Sequence, residues 1–270
     1  MQSSSSAPPV AVVTVTRRPN VLRRCLASVN AQDYQGTLRH VILSDACPNV
    51  ARTIEESGGR VSVEYDDVPR DNDDSDGPGR LGYLRNAAVA KAGSDHVVFL
   101  DDDNEWEGDH VSSLVDCING GWDIAHSQRQ LFLHDGEPYL IEEFPWGRDE
   151  RTRRAVYAYC LEAGIMSRGS HIMRDRLEMR FSWVDLGEWI FPPGFLLDHP
   201  FQTTFGAWEW FHIDVEDRAL PRAVFDSGLS VTCTEKPTLR YYLGGYTNNY
   251  GERDIRWQPP GVDPTGWKTR

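Results

Sequence analysis

Three consecutive carboxylates, Asp101, Asp102 and Asp103, follow the apolar run Val97 to Leu100 and precede Asn104. Charges crowded in this way must be solvated, paired or bound to a cation. A hard dication such as Mg2+ or Mn2+ takes oxygen ligands, commonly one or two carboxylates together with substrate phosphates. A simple acidic turn capping the next helix is the plainer reading; the apolar strand in front and other polar strand ends nearby favour the metal. A second carboxylate pair, Glu216-Asp217, opens a predicted helix through Ala219, Leu220, Val224 and Phe225 that stops near Gly228. Acidic residues suit the first turn of a helix because of its dipole, so this pair alone does not establish catalysis. The acidic loop 66–79 invites a calcium reading through Asn72, Asp74, Asp76 and Gly77, but position twelve is Tyr83, where a bidentate Glu is needed. Gly and Pro punctuate that loop, which reads as a solvated flap.

The elements that must position these groups change character once along the chain. The first half alternates short β-branched runs with helical stretches, the rhythm of βαβ units. Val10 to Val15 reads as a strand buried on both faces. Pro19-Asn20 opens a helix with Val21, Leu22, Cys25, Leu26 and Val29 on one face. Further strands are expected at Val41 to Leu43, Val61 to Tyr65 and Val97 to Leu100, with a helix from about Leu81 to Lys91 stopping at Gly93. Ligands of open α/β sheets bind beyond the carboxyl ends of the strands, which here are Thr14, Thr16, Asp45, the 66–79 loop and Asp101 to Asn104. In the second half, a helix bearing Val111, Leu114, Val115 and Ile118 ends at Gly121. Strands are expected at Trp122 to His126, Gln130 to Leu133 and Ser170 to Met173, with a hairpin turn at His134-Asp135-Gly136-Glu137 leading to Tyr139 to Ile141.

The chain of 270 residues carries 41 Asp+Glu against 28 Lys+Arg, a net charge of −13. That balance argues against nucleic acid as a partner, because a sequence-independent grip on it needs a basic surface. Five widely spaced cysteines without a CxxC pair suit a reducing, cytoplasmic setting and neither a disulfide framework nor a zinc site. No run of about 18 apolar residues predicts a transmembrane segment. Residues 1–9 read as a disordered tail and 253–270 as a C-terminal surface tail.

Four features together resemble the family 2 inverting glycosyltransferases of the GT-A fold, over roughly Val10 to Tyr250. They are the opening Val-Thr-Val-Thr-Arg-Arg-Pro-Asn with Leu-Arg-Arg-Cys-Leu-Ala-Ser-Val after it, Ser44-Asp45, Leu84-Arg85-Asn86-Ala87-Ala88, and Asp101-Asp102-Asp103-Asn104. The resemblance implies an α/β architecture: a single GT-A type Rossmann-like domain over 10–252, with a mostly parallel central sheet flanked by helices and a smaller acceptor-side β region. Residues 10–104 would form the nucleotide-sugar half and 105–252 the acceptor half. It further implies a nucleotide-diphosphate sugar donor, with UDP favoured, contacted by Thr14, Thr16, Arg17, Asp45, Arg85, Asp101 and Asp102. Mn2+ or Mg2+ would sit on Asp103 and Asp101. Glu216-Asp217 resembles the family's ED motif, which makes Asp217 the expected general base, with Glu216 either orienting it or contacting the acceptor.

The acceptor is expected to be a hydroxyl on a small molecule, a glycan or a protein. Trp183, Trp189, Trp208 and Trp210 are candidates to shape its groove, although core packing is the commoner duty of tryptophan. His171, His199 and His212 are conceivable extra metal ligands. A homodimer is compatible with all of this. Two other readings remain at this level: a sugar-nucleotide nucleotidyltransferase, disfavoured because Thr14 to Pro19 lacks the glycines of a triphosphate loop, and a non-catalytic nucleotide-sugar-binding module.

Overall fold

β1 (Val10–Thr16), a run rich in β-branched residues, is buried almost throughout, as suits a strand covered on both faces. The computed structural model describes residues 7–70, 77–93, 95–146, 149–177, 184–205 and 216–244. Parallel to β1 lie β2 (Leu38–Asp45) on one side and β4 (His96–Phe99) on the other, and β3 (Ser62–Val68) extends the sheet beyond β2. The crossovers are α1 (Pro19–Asn30), α2 (Asn49–Ser57) and α3 (Pro78–Ala92). Proline in the first turn starts both α1 and α3, where its missing N–H costs nothing. Gly93, at φ 62°, closes α3 as its sequence predicts.

Past β4 the sheet becomes mixed. Its order is β3-β2-β1-β4-β8-β6-β9-β5, with β7 (Ile172–Met173) added on β6 (Ile124–Phe132). β8 (Trp189–Phe191) runs antiparallel to both neighbours, β9 (Val231–Tyr242) is parallel to β6, and β5 (Glu105–Trp106) closes the edge antiparallel. One core packs Leu22, Leu26 and Val29 of α1, Val50 of α2 and Leu114 of α4 (His110–Asn119) against the sheet. Across the sheet, a second core gathers Ala88 and Val89 of α3, Phe195 and Leu196 of α6 (Phe195–Asp198), and Leu220 and Val224 of α7 (Leu220–Asp226). A third, smaller cluster lies under α5 (Glu150–Glu162), around Tyr139, Ile141, Tyr157, Cys160 and Met173. Helices on both faces of a mostly parallel sheet define the expected α/β class.

Several expectations change. The two strands predicted at 122–126 and 130–133 are one strand, β6, whose polar middle Ser127-Gln128-Arg129 is buried. Gly136, at φ 93°, makes the predicted turn, but only an isolated bridge between Phe132 and Pro138 follows it. The helix expected to open at Glu216-Asp217 starts at Leu220, because Pro221 is suited to a first turn and not to an interior. Asp66 to Val68 belong to β3 and Pro78-Gly79 to α3, so the acidic loop is shorter than predicted; its residues 71–76 lie outside the described residues. Pro8 and Pro9 of the expected tail accept hydrogen bonds from the Tyr34 hydroxyl and the His96 N–H. Residues 1–6 and 245–270 lie outside the described residues. No helix among the described residues is long and apolar enough to cross a membrane.

Candidate active site

The carboxyl edge of the parallel strands gathers the predicted chemistry. Leu100 prolongs β4 by bonding its N–H to Val13, and its carbonyl accepts the Thr14 hydroxyl at 2.7 Å. Thr14, expected at the donor, is buried and also meets His40 Nε2 at 2.8 Å; it stitches β1 to its neighbours. The chain then turns sharply, Asn104 N–H bonding the Asp101 carbonyl at 3.1 Å, while Asn104 Oδ1 accepts the Tyr242 N–H at 3.0 Å. This pins the acidic turn between β4 and the end of β9.

Each aspartate has a different partner. Asp102 accepts the Thr16 hydroxyl at 2.6 Å and the Arg18 Nε at 3.2 Å on Oδ2, and Arg18 Nη2 on Oδ1. Asp103 Oδ2 accepts the same Arg18 Nη2 at 2.8 Å. Asp101 Oδ1 accepts Arg85 Nη2 at 2.9 Å. Burial pushes the Asp102 carboxyl up to about 6 despite Arg18, and burial raises Asp103 in the same direction. Arg17, named from the sequence, is exposed; Arg18 beside it is the residue that meets the motif. A legible signal existed: three like charges at a strand end must be solvated, paired or bound to a cation, and a basic pair, Arg17-Arg18, stands just past β1.

The second carboxylate pair arrives from the far end of the chain. Arg85, buried on α3, bonds Glu216 Oε1 through Nη1 while its Nη2 holds Asp101. Burial alone would lower the basicity of Arg85, but Glu216, Asp101 and Asp217 outweigh it and hold the guanidinium charged. Glycine lets the segments approach. A Cβ at Gly79 would strike the Thr203 carbonyl, and one at Gly82 the Gln202 carbonyl and, at 3.2 Å, Glu216 Cβ. Asn86, one turn beyond Gly82, completes the dock: Nδ2 donates to the Phe201 carbonyl at 2.9 Å and Oδ1 accepts the Phe201 N–H at 2.8 Å. Gln202 N–H in turn bonds the Glu216 carbonyl at 3.2 Å. Asp217 is half-buried in the turn before α7; burial, then the charge of Glu216, push its carboxyl up to about 7 against the pull of Arg85. A carboxylate so tuned is a competent proton acceptor near neutral pH.

At the end of β2, Asp45 is held by two arginines. Arg70 grips both carboxylate oxygens, with Nε at 2.9 Å from Oδ1, and Arg80 Nε reaches Oδ1 at 3.0 Å. Arg80 also ties its Nη2 to the carbonyls of Val68 and Pro69 at the end of β3. The arginines lower the Asp45 carboxyl, overcoming burial, which acts to raise it.

The donor set fits a hard dication shared with a substrate. Asp101 Oδ2 and Asp103 Oδ1 receive no hydrogen bond from the described residues, whereas both oxygens of Asp102 are occupied. Among the described residues no three His, Cys, Asp or Glu side chains converge as a complete cage. An open site finished by phosphate oxygens is what Mg2+ and Mn2+ commonly use. His171 packs on Phe132 and His199 on Phe195; His212 lies outside the described residues. Trp189 corrects the acceptor expectation: it is 1% exposed, stacked on Phe191 in the core. Trp183, Trp208 and Trp210 lie outside the described residues.

A mostly parallel sheet with an acidic strand-end motif, faced by a second carboxylate pair, is the architecture of the GT-A fold. The glycosyl transferase family 2 model matches residues 10–178, more than half of the chain, which therefore belongs to that family. Glu216 and Asp217 fall beyond the matched span. Among solved structures, S. aureus TarS 1–349 is similar at 15% identity and a TM-score of 0.57, over 87% of this chain and 60% of that one. The same fragment in complex with UDP-GlcNAc matches at 16% identity and 0.56, over 87% and 58%, and in complex with UDP at 14% and 0.55, over 88% and 62%. Such identities speak for a shared fold, and this chain spans about three fifths of those TarS fragments.

Proposed function

We propose that the protein is an inverting, metal-dependent glycosyltransferase that moves a sugar from a nucleotide-diphosphate donor, with UDP-sugars favoured, to an acceptor hydroxyl. The observation that carries this reading is the chain of contacts Asp101–Arg85–Glu216, which brings the residue beside Asp217 up against the acidic motif. The solved TarS complexes with UDP-GlcNAc and UDP support the choice of donor for a chain of this fold.

In this reading the acceptor oxygen attacks the anomeric carbon as the bond to the diphosphate oxygen breaks on the opposite face, and Asp217 takes the hydroxyl proton. An alcohol is a far weaker acid than a carboxylic acid, so the proton leaves late, as the new bond forms. Glu216, neutralised by Arg85, fixes the turn that carries Asp217. Asp45, with Arg70 and Arg80, lies at the strand end where a base N–H would find a hydrogen-bond acceptor. Asp101 and Asp103 would hold Mn2+ or Mg2+ together with phosphate oxygens, and the bound ion would act as a Lewis acid on the leaving diphosphate. The acceptor is a hydroxyl compound, glycan or protein.

The test is release of free nucleotide from a panel of UDP-, GDP- and TDP-sugars, with Mn2+ or with EDTA, followed by NMR of the product's anomeric configuration. Metal-dependent UDP release with inversion is expected. Full activity in EDTA would remove the metal, and retention of configuration would remove the single displacement.

A further inference from the structure

We infer that Arg18 is a phosphate-contacting residue, the cation through which this acidic site first meets its anionic donor. The inference rests on the functional reading above and names a residue that reading leaves without a role. Its basis is relative exposure in one cluster. The Arg18 side chain is 42% exposed, whereas its partners Asp102 and Asp103 are 4% and 13% exposed. The guanidinium therefore covers two of the three carboxylates, and an anion approaching from that side meets it before them. Arg85, bonded to the third carboxylate, Asp101, is 6% exposed and enclosed between Asp101 and Glu216, so it cannot serve in the same way.

The geometry leaves Arg18 with capacity to spare. Nε and Nη2 make its contacts to Asp102 and Asp103, and Nη1 has no hydrogen bond with the described residues. A planar guanidinium that binds carboxylate along one edge can bind phosphate oxygens with its remaining donors. Its backbone is fixed as well: the Arg18 N–H bonds Thr16 Oγ1 at 3.0 Å, and Pro19 starts α1 directly after it. Asp102, which takes Arg18 Nε and the Thr16 hydroxyl on one oxygen, orients the fork. Arg18 thus offsets motif charge and presents donors at the carboxyl edge of β1, beside Asp103.

Phosphate recognition separates from fold support when ligands with and without phosphate are compared. Uridine, UDP and inorganic pyrophosphate are titrated calorimetrically into the wild type, Arg18→Gln and Arg18→Lys, each with Mn2+, alongside thermal melts. Arg18→Gln should weaken UDP and pyrophosphate by about tenfold or more, the scale of a lost charge-assisted hydrogen bond, and leave uridine unchanged. Arg18→Lys should recover part of the loss, since charge returns without the fork. Equal weakening of uridine and UDP, or UDP affinity unchanged in Arg18→Gln, would overturn the inference while leaving the proposed function standing. A wild type that binds none of the three would overturn both.

Discussion

Arg85 and Glu216, 131 positions apart in the chain, are joined by a buried ion pair, and the same guanidinium holds Asp101. One helix thus ties the acidic motif after β4 to the turn that carries Asp217. Removing only Arg85 strands a buried carboxylate, which costs about 3–5 kcal/mol. Arg85→Met should lower the urea midpoint accordingly and abolish transfer. The double variant Arg85→Met/Glu216→Leu should regain much of the stability and none of the activity. An Arg85→Met protein as stable as the parent would refute the buried pair.

Gly82 gives a purely steric test of the same junction. Gly82→Ala forces a methyl group into the Gln202 carbonyl. Alanine is otherwise the better helix former by about 1 kcal/mol, so propensity alone predicts a gain. We expect instead a loss of about 1–3 kcal/mol and reduced turnover with nearly unchanged nucleotide affinity, read by thermal melts and calorimetry. A stabilised, fully active variant would show that the close approach is not required.

Asp217→Asn should lower transfer by about 100- to 10,000-fold, the usual worth of a general base, and keep donor affinity. Its effect on stability has a definite sign. Folding raises the Asp217 carboxyl to about 7, so the native state binds a proton that the unfolded chain releases above its own, ordinary value. That contribution is full at acid pH and is lost as pH rises through about 7. Asn removes the charge, so the variant should melt higher than the parent at about pH 8, with a smaller gain at about pH 5.5. In the parent, kcat should rise with pH through the neutral range. A lower midpoint for the variant at alkaline pH would contradict a strained carboxylate.

Asp103→Asn should remove the Mn2+ dependence of UDP binding along with transfer. Asparagine keeps a carbonyl oxygen that can accept the Arg18 Nη2 bond, so Asp103→Asn tests the metal and not the fold: the melting temperature without nucleotide should change little. Binding of UDP that is equal in Mn2+ and in EDTA for the parent would show that Asp101 and Asp103 hold no metal.

Asp45→Ala leaves Arg70 and Arg80 without their shared carboxylate. Uridine affinity should drop about tenfold, on the scale of a lost hydrogen bond to a charged group, measured by competition against UDP. Unchanged uridine affinity would move the base pocket elsewhere.

The parallel half of the fold was legible because strands buried on both faces are written as unbroken apolar runs, as in Val10 to Val15 and Val97 to Leu100. β6 was not, because Ser127, Gln128 and Arg129 read as a break. They lie inside, with Arg129 held by Asp175 and Asp185, carboxylates 46 and 56 positions away that no local pattern can announce. The site divides in the same way. Asp101 to Asp103 stood out by charge density, whereas which of these carboxylates Arg18 and Arg85 each bond follows from the partners the fold delivers. Trp189 is in the core, the commoner duty of tryptophan, which its aromatic type alone could not announce, and Pro221 held the correct start of α7 in plain view.

The Arg85–Glu216 pair also sets an order of events during synthesis. At about 5–20 residues per second, the ribosome needs roughly 7–26 s to travel from one partner to the other. Through that interval α3 and the acidic motif can already be assembled, while the charge of Arg85 still needs water or Asp101. The junction that seats Asp217 closes only once Glu216 has emerged. A nascent chain that stops short of residue 216 therefore holds the acidic motif without Asp217, the proposed base.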